Sequence, residues 1–157
     1  MIILSNDLIA LEAYLKEKEL LMAGETVLSA EKPGEGNMNF TLRIKTNLRS
    51  FILKQSRGYV EKYPQVAAPE NRAMMEAAFY DIIQDSATLS AKMPKLIGKD
   101  AVNNILMLED LGEGSDFARL YKQGDTIDAN ALEEIIDFAA TLHNAFDAKN
   151  FDNPIRN

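Results

Sequence analysis

The 157-residue chain is long enough for about one domain, and with 46% hydrophobic and 26% charged residues it has the composition of a globular rather than a disordered protein. Lys and Arg number 17 against 24 Asp and Glu, a net charge of −7, which is the wrong sign for a protein that binds nucleic acid by displacing counterions from phosphates. With no cysteine and His143 as the one histidine, disulfides, thiolate metal sites, a cysteine nucleophile and histidine-rich zinc sites are all excluded.

From the start of the chain, Met1–Asp7 lacks the basic opening and apolar run of a secretory leader. No later stretch approaches the ~20 apolar residues that cross a bilayer. The expectation is a cytoplasmic protein with no membrane partner.

Ser5 is placed to cap a first helix carrying Leu4, Leu8, Leu11 and Leu15 at helical spacing, which Met22-Ala23-Gly24-Glu25 then breaks. Thr26–Lys32 reads as a strand, and Pro33-Gly34-Glu35-Gly36-Asn37 as a turn. Phe40, Leu42 and Ile44 alternate with Thr41, Arg43 and Lys45, the period of a half-buried strand. A turn at Thr46–Arg49 leads into a further strand, Ser50–Lys54. Tyr59–Ala67 reads as irregular. Pro69 opens a helix with Met75, Phe79, Ile82 and Ile83 on one face.

Lys95–Gly98 and Asn104–Glu109 are two more strands, joined by a turn over Lys99–Asn103. Leu111-Gly112-Glu113-Gly114 is a linker, followed by a short helix over Ser115–Lys122. In the last helix Leu132, Ile135, Ile136, Ala139, Leu142, His143 and Phe146 form one stripe, and Asn130 with Glu133 suggests a capping box. The layout is α+β, five strands in an antiparallel sheet with a packed helix. Residues 1–110 form the strand-bearing unit, and 111–157 the linker and first helices of an incomplete helical unit.

Charge is unevenly spread. Between Phe40 and Lys62 there are six cations and one acid, and between Glu109 and Asp152 eleven acids and three cations. A cationic patch in an acidic chain suits a small anionic ligand better than a long polyanion, although solvated lysines at a sheet edge give the same pattern.

Three features gain meaning together. Gly34-Glu35-Gly36-Asn37-Met38-Asn39 is a glycine turn between strands, which lets backbone amides approach phosphate oxygens; alone it is equally an ordinary hairpin turn. Lys54 ends the apolar run Phe51-Ile52-Leu53, where an ammonium must be neutralised or await an anion; alone it is equally a snorkelling lysine. Glu76, on the following helix, is alone an ordinary solvated glutamate. Glycine hairpin, strand lysine, helix glutamate, two strands and a linker follow one another in the order found in the nucleotide-binding lobe of kinases, with 18 residues from Gly36 to Lys54 and 22 from Lys54 to Glu76.

Met93-Pro94-Lys95-Leu96-Ile97-Gly98, followed by Ile105-Leu106-Met107-Leu108-Glu109-Asp110-Leu111, resembles the fourth strand, fifth strand and hinge of the aminoglycoside phosphotransferase and choline kinase superfamily. Gly36–Ile44, and Phe51-Ile52-Leu53-Lys54-Gln55 with Tyr59-Val60, look most like its methylthioribose kinase branch. Asn39 stands where the third glycine of the protein-kinase pattern would be. The resemblance implies a protein-kinase-like N-terminal lobe that binds ATP with magnesium, for γ-phosphate transfer to a small-molecule hydroxyl. It implies that Lys54 meets the α- and β-phosphates, that Glu76 fixes Lys54, and that Gly36, Asn37 and Met38 lie over the phosphates. The Glu109 carbonyl and Leu111 amide would hold adenine. Asp110 either belongs to that hinge or braces the linker.

The family's catalytic-loop aspartate, in a His-Gly-Asp segment, and its later magnesium aspartate have no counterpart here. His143 is followed by Asn144 and Ala145 and reads as a packed core histidine, while Asp147 and Asp152 read as solvated. The expectation is therefore an ATP-binding portion without catalytic or metal-ligating residues of its own. Two other readings stand beside it. One is a non-catalytic interaction module whose last helix is covered by a partner or by a second copy in a homodimer; the other is a ligand-free scaffold, with Lys54 and Glu76 on opposite sides of the sheet.

Overall fold

Alternation along the central strands divides the molecule into two layers. A computed structural model of the chain describes residues 3–34, 36–114 and 117–147. Glu35, the start of the expected short helix at Ser115, and Asp152 lie outside the described residues. Strands β1 (Val27–Glu31), β2 (Phe40–Thr46), β3 (Ser50–Gln55), β6 (Leu96–Asp100) and β7 (Ile105–Glu109) form one five-stranded sheet in the order β1-β2-β3-β7-β6, every neighbouring pair antiparallel. The inner pairings are continuous. The two edge strands each carry a register irregularity, between Val27 and Ser29 in β1 and between Leu96 and Gly98 in β6.

One face of this sheet presents Leu42, Ile44, Phe51, Leu53, Ile105 and Met107. Against it pack Leu4 and the helix α1 (Leu8–Glu17) through Leu11, Tyr14 and Leu15, all buried. Leu8 faces outward at 37% exposure, and Leu4 belongs to the core from the segment before the helix. The cap is Asp7 rather than Ser5. Asp7 has the extended backbone of a cap, and its Oδ1 accepts from the amides of Ile9 (3.0 Å) and Ala10 (3.1 Å), while Ser5 Oγ accepts from the Asp7 amide.

The opposite face receives the helix α2 (Arg72–Ile83), whose Ala73 and Ala77 sit on Leu106 and Leu108 with Ile52, Met74, Tyr80 and Leu96 around them. The helix begins three residues after Pro69, and its buried positions are Ala73, Ala77 and Ile83; Ile83 is inside as expected, whereas Met75, also expected inside, is 44% exposed. Tyr59–Ala67, read as irregular, is a two-stranded hairpin of β4 (Tyr59–Val60) and β5 (Tyr63–Ala67). Every residue of β5 is exposed, so no buried face marks it in the sequence. A one-turn helix α3 (Ala87–Ser90) was also unmarked.

Beyond the linker, Phe117–Tyr121 is a 3-10 turn, and the helix α4 spans Ala129–Ala145. Asp128, not Asn130, caps α4, accepting from the amides of Asn130 (3.0 Å) and Ala131 (3.2 Å). The first half of the apolar stripe of α4 is exposed, with Leu132, Ile135 and Ile136 at 43%, 42% and 56%, while Leu142 and Phe146 in its second half are half-buried. His143 is exposed, so it is not a core histidine. No described helix is long and apolar enough to cross a membrane.

The end of α1 and the β2–β3 turn are locked by one buried carboxylate. Glu25, 1% exposed, accepts from Arg49 Nε (2.9 Å) and Nη2 (3.1 Å), the Met22 amide (2.7 Å) and the Thr46 hydroxyl (2.9 Å). Burial pushes the Glu25 carboxyl up, but Arg49 and the two other donors outweigh it, and the group ends below its ordinary value of 4.5. A depressed folded-state value stabilises above the unfolded value and is lost as pH falls through the folded one. Stability measured by urea unfolding is expected to decline below pH 4.5, and Glu25→Gln to cost about 2 kcal/mol at neutral pH while flattening that decline.

Candidate functional site

The parity that sends Phe51, Leu53 and Gln55 into the α1 layer sends Ile52 and Lys54 to the α2 layer. Lys54 lies opposite Thr41 on β2 and Leu106 on β7, so its stem runs over the apolar surface on which α2 rests. On α2, Ala73 and Ala77 point at the sheet and Glu76 emerges at the rim between them and Tyr80. Lys54 Nζ meets Glu76 Oε1 at 2.7 Å, with 27% and 28% of the two side chains exposed. The pair is held by secondary structure on both sides yet open to solvent. At that exposure it contributes less than about 1 kcal/mol to folding. Burial, and then the neighbouring Glu76 carboxylate, raise the Tyr80 phenol above its ordinary value. The arrangement of Lys54 and Glu76 on opposite sides of the sheet is excluded.

The glycine turn lies past the Gln55 end of β3, since Phe40 is paired with Gln55. Its backbone is tied down: the Asn37 carbonyl accepts from the Lys62 amide at 3.0 Å, and the Met38 carbonyl from the Glu61 amide at 3.4 Å. Gly36 has room beside it. A Cβ there would come no closer than 3.9 Å to the Thr41 hydroxyl, so the fold itself does not demand a glycine.

Glu109 and Leu111 sit at the other end of the sheet, where Glu109 is paired with Phe51. The Glu109 amide donates to the Lys95 carbonyl at 2.8 Å, and its Oε2 accepts from the Lys95 amide at 3.2 Å. Leu111 is 69% exposed on the linker. Between the turn and the linker lie about four residues of β3, on the order of 14 Å, with Lys54 nearer the turn.

Asp110 braces the linker. Its carboxylate is 4% exposed and faces Arg43 of β2, with Nη2 donating to Oδ1 at 3.0 Å and Nε 3.0 Å from Oδ2. Asp110 Oδ1 also accepts from the Gly112 amide (3.0 Å), and Arg43 Nη2 donates to the Gly112 carbonyl (2.6 Å). Gly112 has φ +86°, a conformation that favours glycine. Burial works to raise the Asp110 carboxyl, but the Ser50 hydroxyl, the Gly112 amide and Arg43 hold it below the usual carboxylate range. The sequence places Arg43 in the cationic patch and on the polar side of the β2 alternation, with no role assigned to it. Its parity in β2, opposite that of Leu42 and Ile44, was the available signal.

No group of three or more His, Asp or Glu side chains that could hold a metal ion converges among the described residues. No protein-family model matches the chain. No curated protein matches it either.

Removing the Asp110 carboxylate strands Arg43 against the linker. Asp110→Ala is expected to cost about 3 kcal/mol in urea unfolding and to speed exchange of the Gly112 amide. The Asp110→Ala/Arg43→Ala pair is expected to lose less than the sum of its parts.

Proposed function

We propose that this chain is the nucleotide-binding lobe of a small-molecule kinase of the aminoglycoside phosphotransferase and choline kinase type, resembling the methylthioribose kinase branch. The observation that carries the reading is the 2.7 Å ion pair between the strand lysine and the helix glutamate. It joins β3 to α2 at the solvent-open rim of the α2 layer, in a sheet ordered β1-β2-β3-β7-β6.

In this reading adenine lies against the linker at Glu109 and Leu111, and the phosphates extend toward the turn at Gly36, Asn37 and Met38. Lys54 is a compact, mobile cation that exchanges part of its bond to Glu76 for phosphate oxygens, while Glu76 keeps it aimed. Breaking so exposed a pair costs little, which suits a group that must accept a ligand. The free space beside Gly36 is where a glycine matters for approach of a ligand rather than for the fold. The reading assigns ATP binding to these residues and no transfer step. A hydroxyl substrate, magnesium and the reacting groups would be handled by an aspartate context that the 157 residues do not contain.

Titration calorimetry of the full chain with ATP is the test. Lys54→Ala is expected to weaken ATP binding tenfold or more, about 1.4 kcal/mol, while changing unfolding free energy by less than about 1 kcal/mol. Gly36→Ala is expected to weaken ATP binding with stability unchanged within about 0.5 kcal/mol. Absence of any ATP binding at millimolar nucleotide would overturn the proposal.

The exposed first half of the α4 stripe supports a second reading, a non-catalytic module whose partner is a second copy of the chain. Sedimentation velocity separates it. A dimer that Ile136→Glu dissociates favours this reading; a monomer at all concentrations removes it.

A further inference from the structure

Nucleotide binding, as proposed above, assigns roles to Lys54, Glu76 and the glycine turn, and this inference rests on that reading. It leaves out the most heavily bonded side chain near the turn. Arg72, the first residue of α2, donates from Nη2 to the carbonyls of Met38 (2.9 Å) and Tyr59 (3.2 Å) and to Asn39 Oδ1 (3.4 Å). From Nη1 it donates to the carbonyls of Arg57 (3.2 Å) and Pro69 (2.5 Å). One guanidinium thus joins the glycine turn, both ends of the segment leading into β4, and the start of α2.

Arg72 and Glu76 are four residues apart, one helical turn, and so share a face of α2. The first holds the turn and the second holds Lys54. Their separation is fixed by the helix between them. We propose that Arg72 is a positioning residue for the phosphates, placing the Asn37–Asn39 backbone at a set distance from Lys54 so that amide donors and ammonium meet the same polyphosphate.

The geometry requires arginine. The two coplanar amino groups, with four N–H between them, reach five acceptors in three separate segments with one hydrogen shared, whereas an ammonium has three donors and no plane. All five acceptors are carbonyl or amide oxygens, and Arg72 makes no ion pair with a carboxylate among the described residues. Its positive charge is therefore left to favour an anion at the turn.

The test compares ligands that differ only in phosphates. In the full chain, Arg72→Ala is expected to weaken ATP binding tenfold or more and adenosine binding less than twofold, and to speed amide exchange at Asn37–Asn39 and at Glu61 and Lys62. Arg72→Lys, which keeps charge and stem, is expected to recover less than half of the lost ATP affinity, and it serves as the readout if Arg72→Ala does not fold. Equal losses for ATP and adenosine would mean a general structural role and overturn the inference. So would unchanged ATP affinity in a chain whose wild type binds ATP, or full recovery by lysine. If the wild type binds neither ligand, it is the nucleotide reading that has failed, and the phosphate role of Arg72 falls with it.

Discussion

Strand β3 is shared by both hydrophobic layers, and its parity governs what each layer contains. Phe51, Leu53 and Gln55 belong to the layer under α1, Ile52 and Lys54 to the layer under α2. A slip of one residue would drive an ammonium into the fully buried α1 layer and push Phe51 into the alanine-lined α2 layer, at a cost of several kcal/mol. The same alternation that builds the core therefore sets the orientation of the lysine. No separate device is required to keep Lys54 on the side where α2 arrives.

Around this sheet, buried polar groups act at the points where chain segments change direction. Gln55, fully buried, accepts from the Leu4 amide at 2.9 Å and donates to the Asn103 carbonyl at 3.0 Å, tying the segment before α1 and the β6–β7 turn to β3. Asp100 accepts from Tyr14 (3.0 Å) and from the Asn103 side chain (2.7 Å) at the same end of that layer, where both Gln55 and Asp100 lie opposite Ile105. Burial alone would raise the Asp100 carboxyl; Asn103 and Tyr14 more than offset it. Ser56 Oγ accepts from the Ala73 amide and donates to the Glu70 carbonyl, attaching the start of α2 to the end of β3. The helix bearing Glu76 and the strand bearing Lys54 are thus fastened independently of their ion pair.

The sheet was legible in the sequence because β2 alternates apolar with polar or charged residues, as at Leu42-Arg43-Ile44-Lys45, and β3 follows as a short apolar run between turn residues and Lys54. The packing face of α2 was legible only at Ile83. Its contact is made by Ala73 and Ala77, and small residues that allow close approach carry almost no hydrophobic signal beside Met75 and Phe79. The caps were misplaced for a related reason. Ser5 and Asp7, or Asp128 and Asn130, are equally good capping types two residues apart, and only backbone conformation selects between them. Lys54 and Glu76 were singled out by their order among other motifs rather than by any local feature, and they meet across the sheet surface. The roles of Arg43 and Arg72 escaped notice because their work is done on backbone carbonyls and one carboxylate distant in sequence.

The register irregularities of β1 and β6 have a consequence for how copies of this molecule can meet. An edge strand in regular register offers a template for another chain's backbone, the usual route from folded sheet to fibril. Here both outer strands of the five-stranded sheet are interrupted, one between Val27 and Ser29 and the other between Leu96 and Gly98, so neither presents an unbroken row of donors and acceptors. The outer edge of the small hairpin carries Pro64, which has no amide proton to lend. Growth of the sheet by strand addition is obstructed at each of these margins, and association between molecules is left to side-chain surfaces, where it can be specific and reversible.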